Sequence, residues 1–133
     1  MENCIFCKII KKEIPADIVF EDEDTLAFLD IKPVNIGHLL IIPREHHQFL
    51  QDTPDDVATN VFLRVKKLID PLKKALGADF VTISVVGMDV PHFHVHLIPR
   101  YKKDGLASFW PTKDSATDER KIVAEKIRKI LKE

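Results

Sequence analysis

The sequence predicts an α+β fold, an antiparallel sheet of about five strands with helices packed on one face. Three observations carry this. Short apolar runs separated by turn residues, Ile18 to Glu21, Thr25 to Leu29 and His38 to Ile42, read as successive strands. From Val57 to Leu72 apolar residues recur at steps of three and four, the period of a helix. Asp79 to Val86 and Phe93 to Ile98 read as two more strands, joined only by Gly87 to Pro91. A parallel crossover needs about a dozen residues, so these two strands are antiparallel neighbours.

Each element follows from its residues. Cys4 to Lys12 reads as a short helix with Ile5, Phe6, Ile9 and Ile10 on its apolar side, ended by Pro15. Glu21-Asp22-Glu23-Asp24 is a solvated hairpin tip between the first two strands. Asp30-Ile31-Lys32-Pro33 leaves the second strand, and Gly37 marks the turn into the third. That third strand is nearly all apolar, hence central, and Pro43 stops it. Thr53 is the expected N-cap of the long helix, with Pro54, Asp55 and Asp56 in its first turn. Phe62 and Ile69 widen its stripe, Pro71 is expected to kink or interrupt it, and Gly77 closes it. Tyr101 to Ser115 is polar and irregular around Trp110. Ala116 to Leu131 is a last helix with Ile122, Val123, Ile127, Ile130 and Leu131 on one side.

No repeat, linker or low-complexity stretch divides the chain, so residues 1–133 read as one domain. Apolar residues make up 45% of it, enough for one core. Twenty basic residues balance 21 acidic ones, for a net charge of −1. That balance gives no electrostatic support for a nucleic acid or an anionic membrane as partner. No apolar stretch is long enough to span a bilayer. The N-terminus lacks a basic region followed by an apolar one, so the expected location is the cytoplasm.

The chemistry is concentrated in the histidines. His92, His94 and His96 alternate with Phe93, Val95 and Leu97. On a strand this puts three imidazoles on one face and three apolar groups on the other. The other three histidines, His38, His46 and His47, flank the apolar run 39–42. If those two strands lie side by side, their histidines converge on one site. A neutral imidazole attacks phosphorus, and a neighbouring ring protonates the leaving group or stabilises the oxyanion. His94, flanked on both sides, is the expected nucleophile. Zinc on the three imidazoles remains a rival reading of the same spacing. Cys4 and Cys7 form no disulfide framework. They read as half a zinc site, a redox pair or two buried thiols.

The run His92-Phe93-His94-Val95-His96-Leu97-Ile98 resembles the motif of the histidine-triad (HIT) family. The resemblance extends to Cys4 through Ile10, Ala27 through Ile31, Gly37 through His46, and Pro99-Arg100-Tyr101. The branch it is most similar to is that of the Hint-type nucleotide hydrolases. The resemblance implies a HIT-like fold, a homodimer, and cleavage of a nucleoside monophosphate, AMP or GMP, from a leaving group such as an amine. It implies a covalent nucleotidyl-histidine on His94, with His96 at the phosphate and leaving group. His92 and His38 then form a supporting relay. Asp30 matches the acid that binds the ribose, and Ile5, Phe6, Ile9, Phe28 and Ile31 match the pocket for the base. Cys4, Cys7, His46 and His92 match the ligands of a structural zinc found in some members.

One segment departs from the family pattern. Before the triad the family carries an asparagine and Gly-Gln followed by a small polar residue, which donate hydrogen bonds to the phosphate. Here Ser84 stands for the asparagine, Met88 for the glutamine and Asp89 for the small polar residue. A carboxylate there repels phosphate by about 1 kcal/mol or more. Two functions of different class therefore follow: a nucleotide or phosphoramidate hydrolase, and a nucleotide-binding module with little turnover.

Overall fold

The computed structural model describes residues 3–107 and 110–133. Five strands, β1 (Ile18–Glu21), β2 (Thr25–Leu29), β3 (Leu39–Pro43), β4 (Phe80–Ser84) and β5 (Val95–Arg100), form one sheet in the order β1-β2-β3-β5-β4. All neighbours are antiparallel. Helix α1 (Ile5–Ile10) precedes them, α2 (Asp55–Leu76) lies between β3 and β4, and α3 (Thr117–Leu131) ends the chain.

β3 is buried along its whole length because both faces of the sheet are covered. Leu39 and Ile41 point into a core with Ala27, Val95, Leu97 and Val61, Val65 and Leu72 of α2. Leu40 and Ile42 point the other way, into a core with Leu26, Phe28 and Phe6, Cys7 and Ile9 of α1. The helices therefore occupy both faces, not one. A five-residue apolar strand next to two more hydrophobic strands is consistent with either arrangement, and the sequence does not say where a two-turn helix docks.

Several local expectations are corrected. α1 is shorter than 4–12, and its buried side is Phe6, Cys7 and Ile9, with Ile5 facing outward. Thr53 does not cap α2; its hydroxyl donates to the Phe49 carbonyl, and Pro54 occupies the N-cap position. Pro71 lies inside an unbroken α2. The lost hydrogen bond is offset by packing, because Leu68, Ile69 and Leu72 all reach the sheet around it. Gly77 ends the helix in the left-handed region at φ 64°, as expected. β5 begins at Val95, so His92, in a bend, and His94, in the approach to the strand, lie before its ladder rather than within it. β4 stops at Ser84, freeing residues 85–91 to form a loop.

The acidic tip is partly built rather than merely solvated: Asp22 accepts from the Asp24 and Thr25 N–H groups and the Thr25 hydroxyl. Within Tyr101 to Ser115, residues 108 and 109 lie outside the described residues. Asp104 organises the start of that stretch, bonding Arg100 at 2.6 Å and the Tyr101 and Leu106 N–H groups. α3 buries none of its apolar side. No helix among the described residues is long and apolar enough to cross a membrane.

Candidate active site and metal centre

β3 and β5 lie side by side, with Leu40 opposite His96. This register brings five of the six histidines into two adjacent clusters. Phe93, Val95 and Leu97 turn toward α2, so the triad imidazoles turn to the opposite side. His94 and His96 are neighbours there, with ring centroids 4.9 Å apart, and Phe6 of α1 sits edge-on to His94 at 5.1 Å. His47 belongs to neither cluster; its ring faces Glu45, while its carbonyl accepts from the Phe93 N–H.

Fixed backbone groups determine which nitrogen carries each proton. The Val34 N–H lies 3.1 Å from His38 Nδ1. A backbone N–H only donates, so His38 Nδ1 is bare and the neutral ring is protonated at Nε2. That Nε2 lies 2.9 Å from His96 Nδ1 and donates to it. His96 in turn carries its proton on Nε2, a buried atom with no protein partner. His94 is set the opposite way. Its Nδ1 lies 2.7 Å from the His92 carbonyl, which only accepts, so Nδ1 is protonated and Nε2 presents a lone pair. Two touching rings thus present a nucleophile and a hydrogen-bond donor.

Electrostatics keep this chain neutral. Burial pushes His38 below the ordinary histidine value, against the opposing charge of Asp30. Burial, then His94 and His38, pushes His96 down as well. Asp30 Oδ2 lies 3.8 Å from His38 Nε2, and its other oxygen accepts from the Lys32 N–H. Asp89 Oδ1 lies 3.2 Å from His94 Nε2, outside hydrogen-bonding alignment. Burial works to raise the Asp89 carboxyl, but His94 and the backbone N–H groups of Val90 and Asp89 outweigh it and hold it low.

The other expected ligand-binding residues divide. Ser84 pairs across the ladder with His96 and shares its face. Phe6, Ile9 and Phe28 are buried in the α1-side core, with Phe6 and Phe28 in edge contact at 5.4 Å. Ile5 is 47% exposed and Ile31 89% exposed. The structure therefore brings Asp30, Phe6 and Ser84 around the imidazoles and leaves Ile31 at the surface.

The second cluster joins Cys4, Cys7, His46 and His92. Cys4 Sγ and Cys7 Sγ lie 3.4 and 3.6 Å from His92 Nδ1. His46 Nδ1 lies 3.2 Å from both Cys7 Sγ and His92 Nδ1. A tetrahedral zinc, with bonds of about 2.3 Å to sulfur and 2.0 Å to nitrogen, has edges of roughly 3.3–3.8 Å. The donor set and its spacing fit that ion. His92 Nε2 donates to the Pro43 carbonyl at 2.9 Å, which leaves Nδ1 bare toward the cysteines. Both nitrogens of His92 are thereby engaged, and only its carbonyl reaches His94. Without a metal, burial and then Cys4 push the Cys7 thiol up to about 11. A bound cation reverses this by favouring the thiolate.

Two further groups, Asp89-His94-His96 and Asp30-His38-His96, also bring ligand atoms together. A metal on His96 Nε2 requires the proton to move to Nδ1, against the donor chain from Val34 and His38. Among the described residues the three triad imidazoles do not converge on one point, since His92 turns to the cysteines. Sequence reasoning missed the Val34 N–H and the Pro43 and His92 carbonyls because any residue type supplies them.

The profile of the HIT domain matches residues 11–103. The chain belongs to the HIT family. Among HIT relatives, an uncharacterized HIT-like protein of Methanocaldococcus jannaschii is 48% identical over 87% of this chain and 94% of its own. The adenosine 5'-monophosphoramidase HNT1 of Saccharomyces cerevisiae is 40% identical over 86% of this chain and 74% of its own. Among solved HIT structures, SMU.412c from Streptococcus mutans superposes with a TM-score of 0.89 at 38% identity, covering 98% of this chain and 87% of that one. A zinc-bound histidine triad family protein from Mycobacterium smegmatis superposes with a TM-score of 0.76 at 30% identity, covering 99% of each chain.

Proposed function

We propose that the chain is a hydrolase that releases a nucleoside monophosphate, AMP or GMP, from a phosphoramidate. The observation that carries this is the seating of His94 Nδ1 on the His92 carbonyl and of His96 Nδ1 on His38 Nε2, which sets the two rings in opposite tautomers. A bare Nε2 beside a free N–H is what an in-line attack on phosphorus needs. The kinship to an adenosine 5'-monophosphoramidase supports the substrate class.

In this mechanism His94 Nε2 attacks phosphorus, and the P–N bond to the leaving amine breaks. The amine departs with the proton its nitrogen carries in the ammonium form of the substrate. The nucleotidyl ring becomes a cation whose Nδ1–H stays on the His92 carbonyl. His96 Nε2–H donates to a non-bridging oxygen and stabilises the charge gathered there. Water then attacks phosphorus, the electron pair returns to His94 Nε2, and the water's proton leaves to solvent. Asp30 positions the ribose, and Phe6, Ile9 and Phe28, with Ile5 and Ile31 at the edge, contact the base. Cys4, Cys7, His46 and His92 hold a structural zinc, which fixes the segment before β5. The working form is a homodimer, supported by the exposed apolar residues Ile83, Val85 and Val86 at and beyond the β4 edge.

One observation favours the second reading, a nucleotide binder with little turnover. Asp89 holds an ionised carboxylate in front of the attacking atom. The two readings separate in one assay, AMP release from an adenosine phosphoramidate by the wild type and by His94→Ala. Release that vanishes in the variant establishes the hydrolase. AMP binding without release by either protein establishes the binder.

A further inference from the structure

The mechanism above leaves one charged neighbour of the nucleophile without a task, the carboxylate of Asp89. Its Oδ1 lies 3.2 Å from His94 Nε2. His94 and His96 are only 2% and 8% exposed, and the Nε2 atom of each is buried without a hydrogen-bond partner among the described residues. Asp89, His94 and His96 each bring one ligand atom to within 4.8 Å of the others. This group shares no residue with the Cys4, Cys7, His46 and His92 cluster.

We propose that His94 Nε2 and the Asp89 carboxylate form a second metal site, one that takes a divalent transition ion of the zinc class and silences the nucleophile while the ion is bound. Their separation fits. Zinc bonds of about 2.0–2.2 Å to nitrogen and oxygen put tetrahedral ligand atoms roughly 3.3 Å apart. Both ligands also stand in their metal-binding forms. The His92 carbonyl keeps the proton of His94 on Nδ1, the usual support of a ligating histidine, and leaves Nε2 bare. The Asp89 carboxylate is ionised and held by the N–H groups of Val90 and Asp89. No proton has to leave for the ion to enter. An imidazole beside a carboxylate suits zinc, copper or nickel, whereas magnesium prefers oxygen ligands throughout. The Asp89 side chain is 55% exposed, so the ion arrives from solvent and keeps water at its remaining positions. His96 is not a ligand; it retains its Nε2–H and donates to one of those waters. With two protein ligands this site is weaker than the four-ligand cluster, so it fills second and empties first. Metal binding stands without the hydrolase reading. The silencing rests on that reading, because the ion holds the lone pair that attacks phosphorus.

The test starts from protein given one equivalent of zinc and then desalted, so that the cysteine–histidine cluster fills first. Further zinc is titrated in by calorimetry, and the second site is read as the binding that His94→Ala loses. The wild type is expected to bind one more equivalent than His94→Ala. Asp89→Asn, which keeps the side-chain shape at an exposed position, is expected to weaken that binding by about tenfold or more. Magnesium is expected not to compete for it. In an AMP-release assay on an adenosine phosphoramidate, zinc is expected to inhibit the wild type at the concentrations that fill the second site. Asp89→Asn is expected to need about tenfold more zinc for the same inhibition. Equal zinc binding by the wild type and either variant, even at millimolar zinc, would overturn the site. Full turnover with the second site filled would overturn the silencing. Absence of His94-dependent release without added zinc would remove the hydrolase reading, and the titration would still decide the metal site.

Discussion

The Asp89 carboxylate stands 3.2 Å from His94 Nε2, the atom whose lone pair the His92 carbonyl leaves free. With Nε2 bare no proton lies between them and the contact is repulsive; a proton or cation there turns it into the attraction by which His94 lowers the Asp89 carboxyl. The arriving phosphate meets the same charge. Asp89→Ser removes it. Because the Asp89 side chain is 55% exposed, the water-like estimate of about 1 kcal/mol applies, or roughly fivefold in kcat/KM. The expected outcome is a gain of that size on an adenosine phosphoramidate. An unchanged or lower rate would show that Asp89 assists the reaction.

His38 acts on His96 and not on the substrate, so its removal has a distinct signature. His38→Ala frees His96 Nδ1 and lets the ring take either proton arrangement. Turnover is expected to fall by about 10- to 100-fold, the usual cost of losing a group that orients a reacting one. AMP affinity should change far less than kcat. A loss confined to KM would assign His38 to binding instead.

Metal removal should act on stability before chemistry. With free zinc a thousandfold above its Kd, binding stabilises the fold by about 4 kcal/mol. Chelation, or Cys4→Ser, is expected to lower Tm by about 10 °C or more. At 25 °C, the chelated protein should keep His94-dependent turnover within severalfold. Abolished turnover in a protein that is still folded would place the metal in the reaction.

Acid should unfold the metal-free chain through a histidine. Burial, only partly offset by its bond to Pro43, holds the His92 ring at about 4, whereas an unfolded histidine titrates near 6.5. A buried neutral ring stabilises the fold fully above the unfolded value and loses that contribution as pH falls from 6.5 to 4. The full loss is about 3 kcal/mol at 1.36 kcal/mol per pH unit. His38 and His96, lowered in the same direction, add to it. Urea melts of the chelated protein between pH 7 and pH 4 read this out directly, and a flat stability across that window would contradict it.

Much of this was legible from residue types. β1 and β2 fall where alternation and the acidic turn predict them, and β3 is central because all its residues are apolar. The Cys4, Cys7, His46 and His92 grouping follows from the family resemblance, and the structure brings its atoms within bonding range of one ion. What sequence missed has a common cause. Pro71 carries a local penalty that tertiary packing outweighs, and the Thr53 hydroxyl donates to the Phe49 carbonyl instead of accepting from the helix N–H groups. The tautomers of His38, His94 and His96 depend on backbone groups of Val34 and His92 that carry no side-chain signature. Ile31 reads as a pocket residue by pattern, yet it lies outside because Asp30 turns the chain away after β2.

His92 divides its labour between ring and backbone. Its ring is held by two thiols, a second imidazole and the Pro43 carbonyl, while its own carbonyl holds the proton of His94. Thermal wobble of that ring is passed two residues along the chain to the aim of the attacking nitrogen. An ion in the cysteine–histidine cluster would thus influence turnover as a clamp does, by stiffness alone. Loss of such an ion would therefore loosen the aim of His94 by a small factor while costing the fold far more.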